Sequence, residues 1–332
     1  MRLAADQDAL DFAESIAELL ADVADAAALR AAWDDPDGRI PGVWKRLAET
    51  GLLGLTVPEQ YGGSGADLTT LLPALIELGR AALPEPVVET VVGATLLARC
   101  GGDLAAQWLP RVVAGDAVIA VGLGPGSLIS AAPWADLVLV QRPDGTVVAA
   151  PREAASLTEH ASVDRGMRFA SVAADDGAAL TGADPGPVFD LGAVAYAALL
   201  TGGARAMLEM SVDYARQREQ FGVPIGSFQA IKHQLANVYV GTVFALPVVA
   251  RGAWSVAHDV PTRSRDASHA KHIATVSAQQ AARTALQVHA GIGYTYEHDL
   301  HMWMKRTWTL SSLWGTAAWH KARVAKAVLE DA

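Results

Sequence analysis

"YARQREQFGVPIGSFQAIKHQLANVYV", residues 214–240, decides how the chain is built, because helical spacing runs up to a break and resumes after it. The spacing predicts a helix that stops at Gly222, a turn fixed by Pro224, and a second helix capped by Ser227. Arg218, Gln220, Phe221 and Gln229 then gather at a helix-to-helix corner, a place that can hold a flat, anionic ligand. Taken alone, Arg218 fits a surface ion pair with Glu219 or Glu209 equally well.

Outward from that corner, apolar residues at helical spacing predict long helices near 190–219, 228–256, 266–290 and 311–329. Four long helices joined by short loops make a bundle, whose faces can pack against another subunit as well as against the rest of the chain. From 7 to 115 the spacing is again helical, broken by "DDPDGRIPG" at 34–42 and "VPEQYGGSGADL" at 57–68. Between them, "AVIAVGL", "ADLVLVQR" and "GTVVAAP" are short β-branched runs separated by Gly, Pro and Asp. The expected fold class is mainly α with a small central β domain, divided as 1–116 (helical), 117–186 (a short β region) and 187–332 (a helical bundle).

With 36 acidic against 26 basic residues and a net charge of −10, the chain offers phosphate no general electrostatic footprint, so nucleic acid is not an expected partner. Hydrophobic residues make up 51% of the 332, enough for a sizeable core. The single cysteine, Cys100, has no internal partner and is expected to be a buried, inert thiol in a reducing cytoplasm. The N-terminal "MRLAADQDALDFAESIAELL" interrupts its apolar positions with acids and reads as an amphipathic helix, and no stretch offers about 18 uninterrupted apolar residues for a bilayer. The histidines at 233, 289, 298, 301 and 320 lack metal-ligand spacing and are expected to be neutral and satisfied, so no metal is expected.

Three stretches resemble acyl-CoA dehydrogenases: the 214–240 corner, "QVHAGIGYTYEHDLHMWMKR" at 287–306, and "VWKRLAETGLLGLTVPEQYGGSGADLTTLLPALIELGRA" at 43–81. The resemblance implies that family's fold, a helical N-terminal domain, a β-barrel-like middle domain and a C-terminal four-helix bundle. It also implies FAD as cofactor, with Arg218, Gln220, Phe221, Gln229, Gln287, Gly291 and Gly293 lying against a flavin nucleotide whose ring is cradled by a neighbouring subunit. Glycines suit that place because a missing side chain lets the backbone approach a pyrophosphate. Where the family has two adjacent glycines, this chain has Ala290 and then Gly291.

Dehydrogenating an acyl-CoA needs a base for the α-proton, and a carboxylate in an apolar pocket suits it because desolvation lifts its pKa toward neutrality. Counting from Gln287, the family's usual glutamate falls on Trp314, in "LHMWMKRTWTLSSLWGTAAWHKARVAKAVL" at 300–329, a stretch with four tryptophans, five basic residues and no carboxylate. Counting back from Phe221, the alternative base position falls on Gly192. Asp190 is the nearest carboxylate, turned about 200° around a helix from that position. The flavin-holding Thr-Glu-Pro loop of the family is also missing, although "GLGPGSLIS" at 122–130 keeps Gly126 and Ser127.

Half of a cofactor site is kept while the chain's own catalytic half is eroded, which resembles the degenerate subunit of actinobacterial α2β2 members that act on fatty acyl or steroid side chains. The expectation is a heterotetramer subunit with no catalytic residue of its own, working beside a homologous catalytic subunit that carries the acyl-CoA and the base. Two alternatives stay open on sequence: a self-sufficient homomeric flavoenzyme with an unrecognised base such as Asp190, and a flavin-free scaffold.

Overall fold

The computed structural model describes residues 3–123 and 128–330. Among them run eleven α-helices: α1 (Gln7–Val23), α2 (Ala26–Asp34), α3 (Val43–Glu49), α4 (Leu68–Arg80), α5 (Val87–Cys100), α6 (Gly102–Val113), α7 (Pro185–Gln217), α8 (Gln229–Ala257), α9 (Arg263–His289), α10 (Leu300–Ser312) and α11 (Ala317–Glu330). The chain divides into two compact units, one formed by Asp22–Leu71 and Pro84–Gly192, the other by residues up to Ala21, Leu72–Leu83 and everything from Ala193 on.

The first unit holds α2, α3, α5, α6 and the β region. Its strands are β1 (Ile119–Gly122), β2 (Ile129–Ser130), β3 (Leu137–Gln141), β4 (Val147–Pro151), β5 (Ser156–His160), β6 (Phe169–Ala173) and β7 (Ala178–Ala179). They form a four-stranded sheet in the order β1-β3-β4-β7 and a three-stranded sheet in the order β2-β6-β5. The β-branched runs of the sequence became β1, β3 and β4, with β1 and β3 parallel and β3 and β4 antiparallel. Leu47, Leu52, Leu53, Leu97, Leu109 and Ile119 are wholly buried and form its core. Glu85, buried to 6% exposure, accepts from Arg39 at 2.7 Å and from the Ile40 amide at 3.1 Å, so the loop before α3 is tied down by one carboxylate.

The second unit is the helical bundle. α9 presents Ala267, Ala270, Ala274, Ala278, Ala281 and Ala285 to the core at helical spacing, and these small residues let its backbone come close to α8 and α11. α4 and α7 cross at glycines: a Cβ on Gly202 would stand 1.9 Å from the Ile76 carbonyl and one on Gly79 would stand 2.1 Å from the Leu199 carbonyl. No larger residue fits that crossing.

The bundle departs from expectation in four places. α7 stops at Gln217 rather than Gly222, and the next residues form a hairpin. Ser227 does not cap α8; its hydroxyl donates to the Pro224 carbonyl at 2.7 Å, and the N-cap Phe228 makes no side-chain cap bond. A fifth helix, α10, occupies residues that had no expected helix, so "LWGT" at 313–316 is a helix-to-helix turn. Finally, α7 and α8 are each long and apolar enough to cross a membrane by length and composition, a property that the search for an uninterrupted apolar run misses because short polar residues punctuate both. The apolar window of α7 is 83% buried, as in a core helix, whereas that of α8 is 33% buried. Cys100 is half-exposed rather than buried, and desolvation raises its thiol pKa, which keeps it protonated.

Candidate functional site

The 214–229 corner is built around a two-residue hairpin, β8 (Glu219–Gln220) paired with β9 (Val223–Pro224). Its turn residues, Phe221 and Gly222, have φ of +54° and +80°. Positive φ at both centres matches the twist of a tight hairpin, but Asn or Gly normally takes the first position. Phenylalanine there is strained, and its ring is 93% exposed, touching Phe228 edge-on at 6.2 Å.

Arg218, three residues before Phe221 in the chain, is exposed, and among the described residues it forms no ion pair. Its sequence-level rival partner, Glu209, is held by Arg80 at 2.9 Å. Gln229 opens α8 and is exposed, while the Gln220 amide donates to the Glu219 carbonyl at 2.8 Å.

Gln287, exposed in the last turn of α9, leads into the glycine segment. Ala290 ends the helix at φ +52° and ψ −133°, a backbone shape close to glycine-only territory. Nothing lies within 4 Å of where a Cβ on Gly291 would sit, so its backbone is open to a ligand. Gly293 is a packing glycine instead: a Cβ there would meet His289 Cβ at 3.1 Å and the Leu286 carbonyl at 3.3 Å.

The corner and the glycine segment are brought together by an aromatic joint. Tyr214 stacks on His289 at 4.4 Å, and His298 meets both rings edge-on, at 6.1 Å from Tyr214 and 4.5 Å from His289. His289 bonds the Ala285 carbonyl through Nδ1, and its buried Nε2 has no partner, so it is not the fully satisfied histidine expected. Burial, reinforced by His298, lowers its pKa and keeps the imidazole neutral near pH 7.

The expected base positions carry no carboxylate. Trp314 sits in the α10–α11 turn at φ +52°, followed by Gly315 at φ +90°, where a Cβ would stand 2.6 Å from His320 Nε2. The indole is half-buried and tilts against Tyr196 at 6.2 Å, and Tyr196, wholly buried, lies one turn along α7 from Gly192. Asp190 is wholly buried in the first turns of α7. Gly126 and Ser127 lie outside the described residues.

One participant escaped the sequence reading. Lys271 is wholly buried on α9 and donates to the Leu310 carbonyl at 3.0 Å and the Gly315 carbonyl at 3.3 Å. Desolvation pushes its pKa down to about 7. The signal was present in the alanine spacing of "DASHAKHIATVSAQQAA", which puts Lys271 on the buried stripe beside Ala267, Ala274 and Ala278. Among the described residues no cluster of His, Cys, Asp or Glu could hold a metal ion.

Comparison with known proteins assigns the chain to a family. The family model "Acyl-CoA dehydrogenase, C-terminal domain" matches residues 187–329, and "Acyl-CoA dehydrogenase, N-terminal domain" matches 6–116. Acyl-CoA dehydrogenase IpdE2 of Mycobacterium tuberculosis is 36% identical over 88% of this chain and 88% of its own. The Tcur3481-Tcur3483 steroid ACAD has 26% identity and a TM-score of 0.91, covering 98% of each chain. The ChsE4-ChsE5 complex from Mycobacterium tuberculosis has 24% identity and a TM-score of 0.87, covering 99% of each chain.

Proposed function

The chain belongs to the acyl-CoA dehydrogenase family, and from that premise we infer that it is a half-site subunit: it lends a nucleotide-facing surface to a flavin whose ring and catalytic base reside in a homologous partner. The observation that supports this reading is Trp314, a half-buried indole against Tyr196 at the position where a count from Gln287 expects the family's carboxylate, with Gly192 at the alternative position. Neither side chain can accept a proton.

The residues facing solvent at the corner fit FAD. Arg218 has a charge to give to a phosphate, Phe221 offers a flat apolar face, and Gly291 leaves room for close backbone approach. FAD bound to the complex would supply the hydride acceptor; Arg218, Gln229 and Gln287 would hold and orient the nucleotide.

A partner is supported by the outer face of α8, where Phe244 is 71% exposed, Tyr239 59%, Val240 50% and Val243 41%, with Val276 of α9 at 47%. A contiguous apolar face of this kind marks an interface rather than a solvated surface. The names of acyl-CoA dehydrogenase IpdE2 and of the steroid ACAD support an acyl-CoA thioester, with a steroid-derived or fatty acyl group, as the substrate class oxidised at the complex.

The test is co-expression with a homologous chain that has an intact glutamate, followed by FAD titration of the apo-complex carrying Arg218→Ala. Loss of one charge-assisted contact should weaken FAD binding roughly 10- to 100-fold, from about 1.5–3 kcal/mol. An unchanged dissociation constant would return Arg218 to the solvent and remove this corner from the cofactor.

A further inference from the structure

Three side chains donate to the backbone carbonyls of the α10–α11 connection. Lys271 reaches Leu310 at 3.0 Å and Gly315 at 3.3 Å, His272 Nδ1 reaches Ala317 at 2.9 Å, and His320 Nε2 reaches Trp314 at 2.7 Å. Each histidine donates in the tautomer that protonates the nitrogen named. The end of α10 leaves its last carbonyls without helical partners, and Lys271 satisfies one of them from a neighbouring helix.

Lys271 has a cost that needs a reason. It is wholly buried on an alanine-rich stripe and, among the described residues, pairs with no carboxylate. A methionine of similar reach would occupy the same space without losing hydration. What methionine could not do is bond two carbonyls of a turn whose central residues, Trp314 and Gly315, both have positive φ. A neutral amine carries two N–H donors, matching the two carbonyls it meets.

We propose that Lys271 is the positioning residue of an exclusion turn: by bonding the Leu310 and Gly315 carbonyls it fixes the Trp314 indole against Tyr196, and the indole bars an acyl-CoA thioester from this subunit's own base position. This rests on the half-site reading and extends it, because the second site is then held shut by built contacts, beyond merely lacking a carboxylate.

The test uses the co-purified complex and 2,2-dimethyloctanoyl-CoA, a thioester with no α-hydrogen and therefore not oxidised. Bound thioester per heterodimer is counted by equilibrium dialysis, and backbone amide exchange of 313–317 is followed by mass spectrometry. The parent complex is expected to bind no more than one thioester per pair. Lys271→Met is expected to lose protection over 313–317 by at least tenfold and to admit a second thioester. A merely structural lysine would change the melting temperature without changing that count. Should Lys271→Met fail to assemble, Trp314→Gly serves instead, since a left-handed backbone suits glycine, and it too should admit a second thioester. Unchanged exchange in Lys271→Met, or a count still at one in Trp314→Gly, overturns the proposal. Two thioesters on the parent complex would overturn both the exclusion and the half-site reading beneath it, an outcome distinct from the other two.

Discussion

Ala290 holds φ +52° and ψ −133° at the point where α9 gives way to the glycine segment, and an L side chain adopts that shape only at a cost of order 1–3 kcal/mol. Ala290→Gly removes the strain and returns about 0.4–1 kcal/mol of it as added freedom in the unfolded chain. A net gain of about 1 kcal/mol is expected, read as a melting temperature raised by roughly 2–4 °C. An unchanged or lower melting temperature would mean that the methyl has packing contacts that repay its strain. Lys271 makes a prediction with a sign. Its folded pKa of about 7 lies below the usual lysine value of 10.5, so between those limits the unfolded chain binds more protons than the folded one. Stability should therefore rise with pH from about 7 to 10 in the parent protein relative to Lys271→Met, and the gap should be flat below pH 7. Urea melts of both proteins across pH 6–10 measure it, and a pH-independent gap would place the amine in water.

At the scale of elements, α8 is the helix whose exposed apolar face most needs a partner. Phe244 projects from it at 71% exposure, and Phe244→Ala is expected to weaken assembly with the homologous chain by at least about 2 kcal/mol, near 30-fold, if the ring is a central anchor. Sedimentation over a dilution series reads the change; an unaltered assembly constant would put the partner elsewhere. The long helices were legible because α8 and α9 repeat apolar or alanine positions every three to four residues over many turns. α10 was not, because its buried face mixes His301, Arg306, Thr307 and Ser311 with Leu300, Met302 and Leu310, so apolar counting finds no stripe. The hairpin at 219–224 was hidden for a different reason: its turn is Phe-Gly, and a phenylalanine at positive φ gives no turn signal. The strained joints at Phe221, Ala290 and Trp314, all with positive φ, lie in the segments named from the sequence as facing the cofactor or the base position. Residue identity named the segments, and the strain of their backbones is visible only in three dimensions.

At the scale of the whole molecule, the chain matches the family's two helical-domain models, leaves Arg218, Gln229, Gln287 and Gly291 exposed, and carries Gly192 and Trp314 at the two expected base positions. On the half-site proposal both features follow from one division of labour, in which the partner performs the proton abstraction and this chain completes the cofactor surface. Expressed alone, it would have half of each flavin site and an uncovered α8 face. The direct measurement is the flavin-to-protein ratio of the lone purified chain by absorbance, followed by addition of acyl-CoA. The half-site account predicts little bound FAD and no acyl-CoA-dependent bleaching until the homologous catalytic chain is added. A stoichiometric ratio, with the flavin bleached rapidly by acyl-CoA in the lone chain, would contradict it.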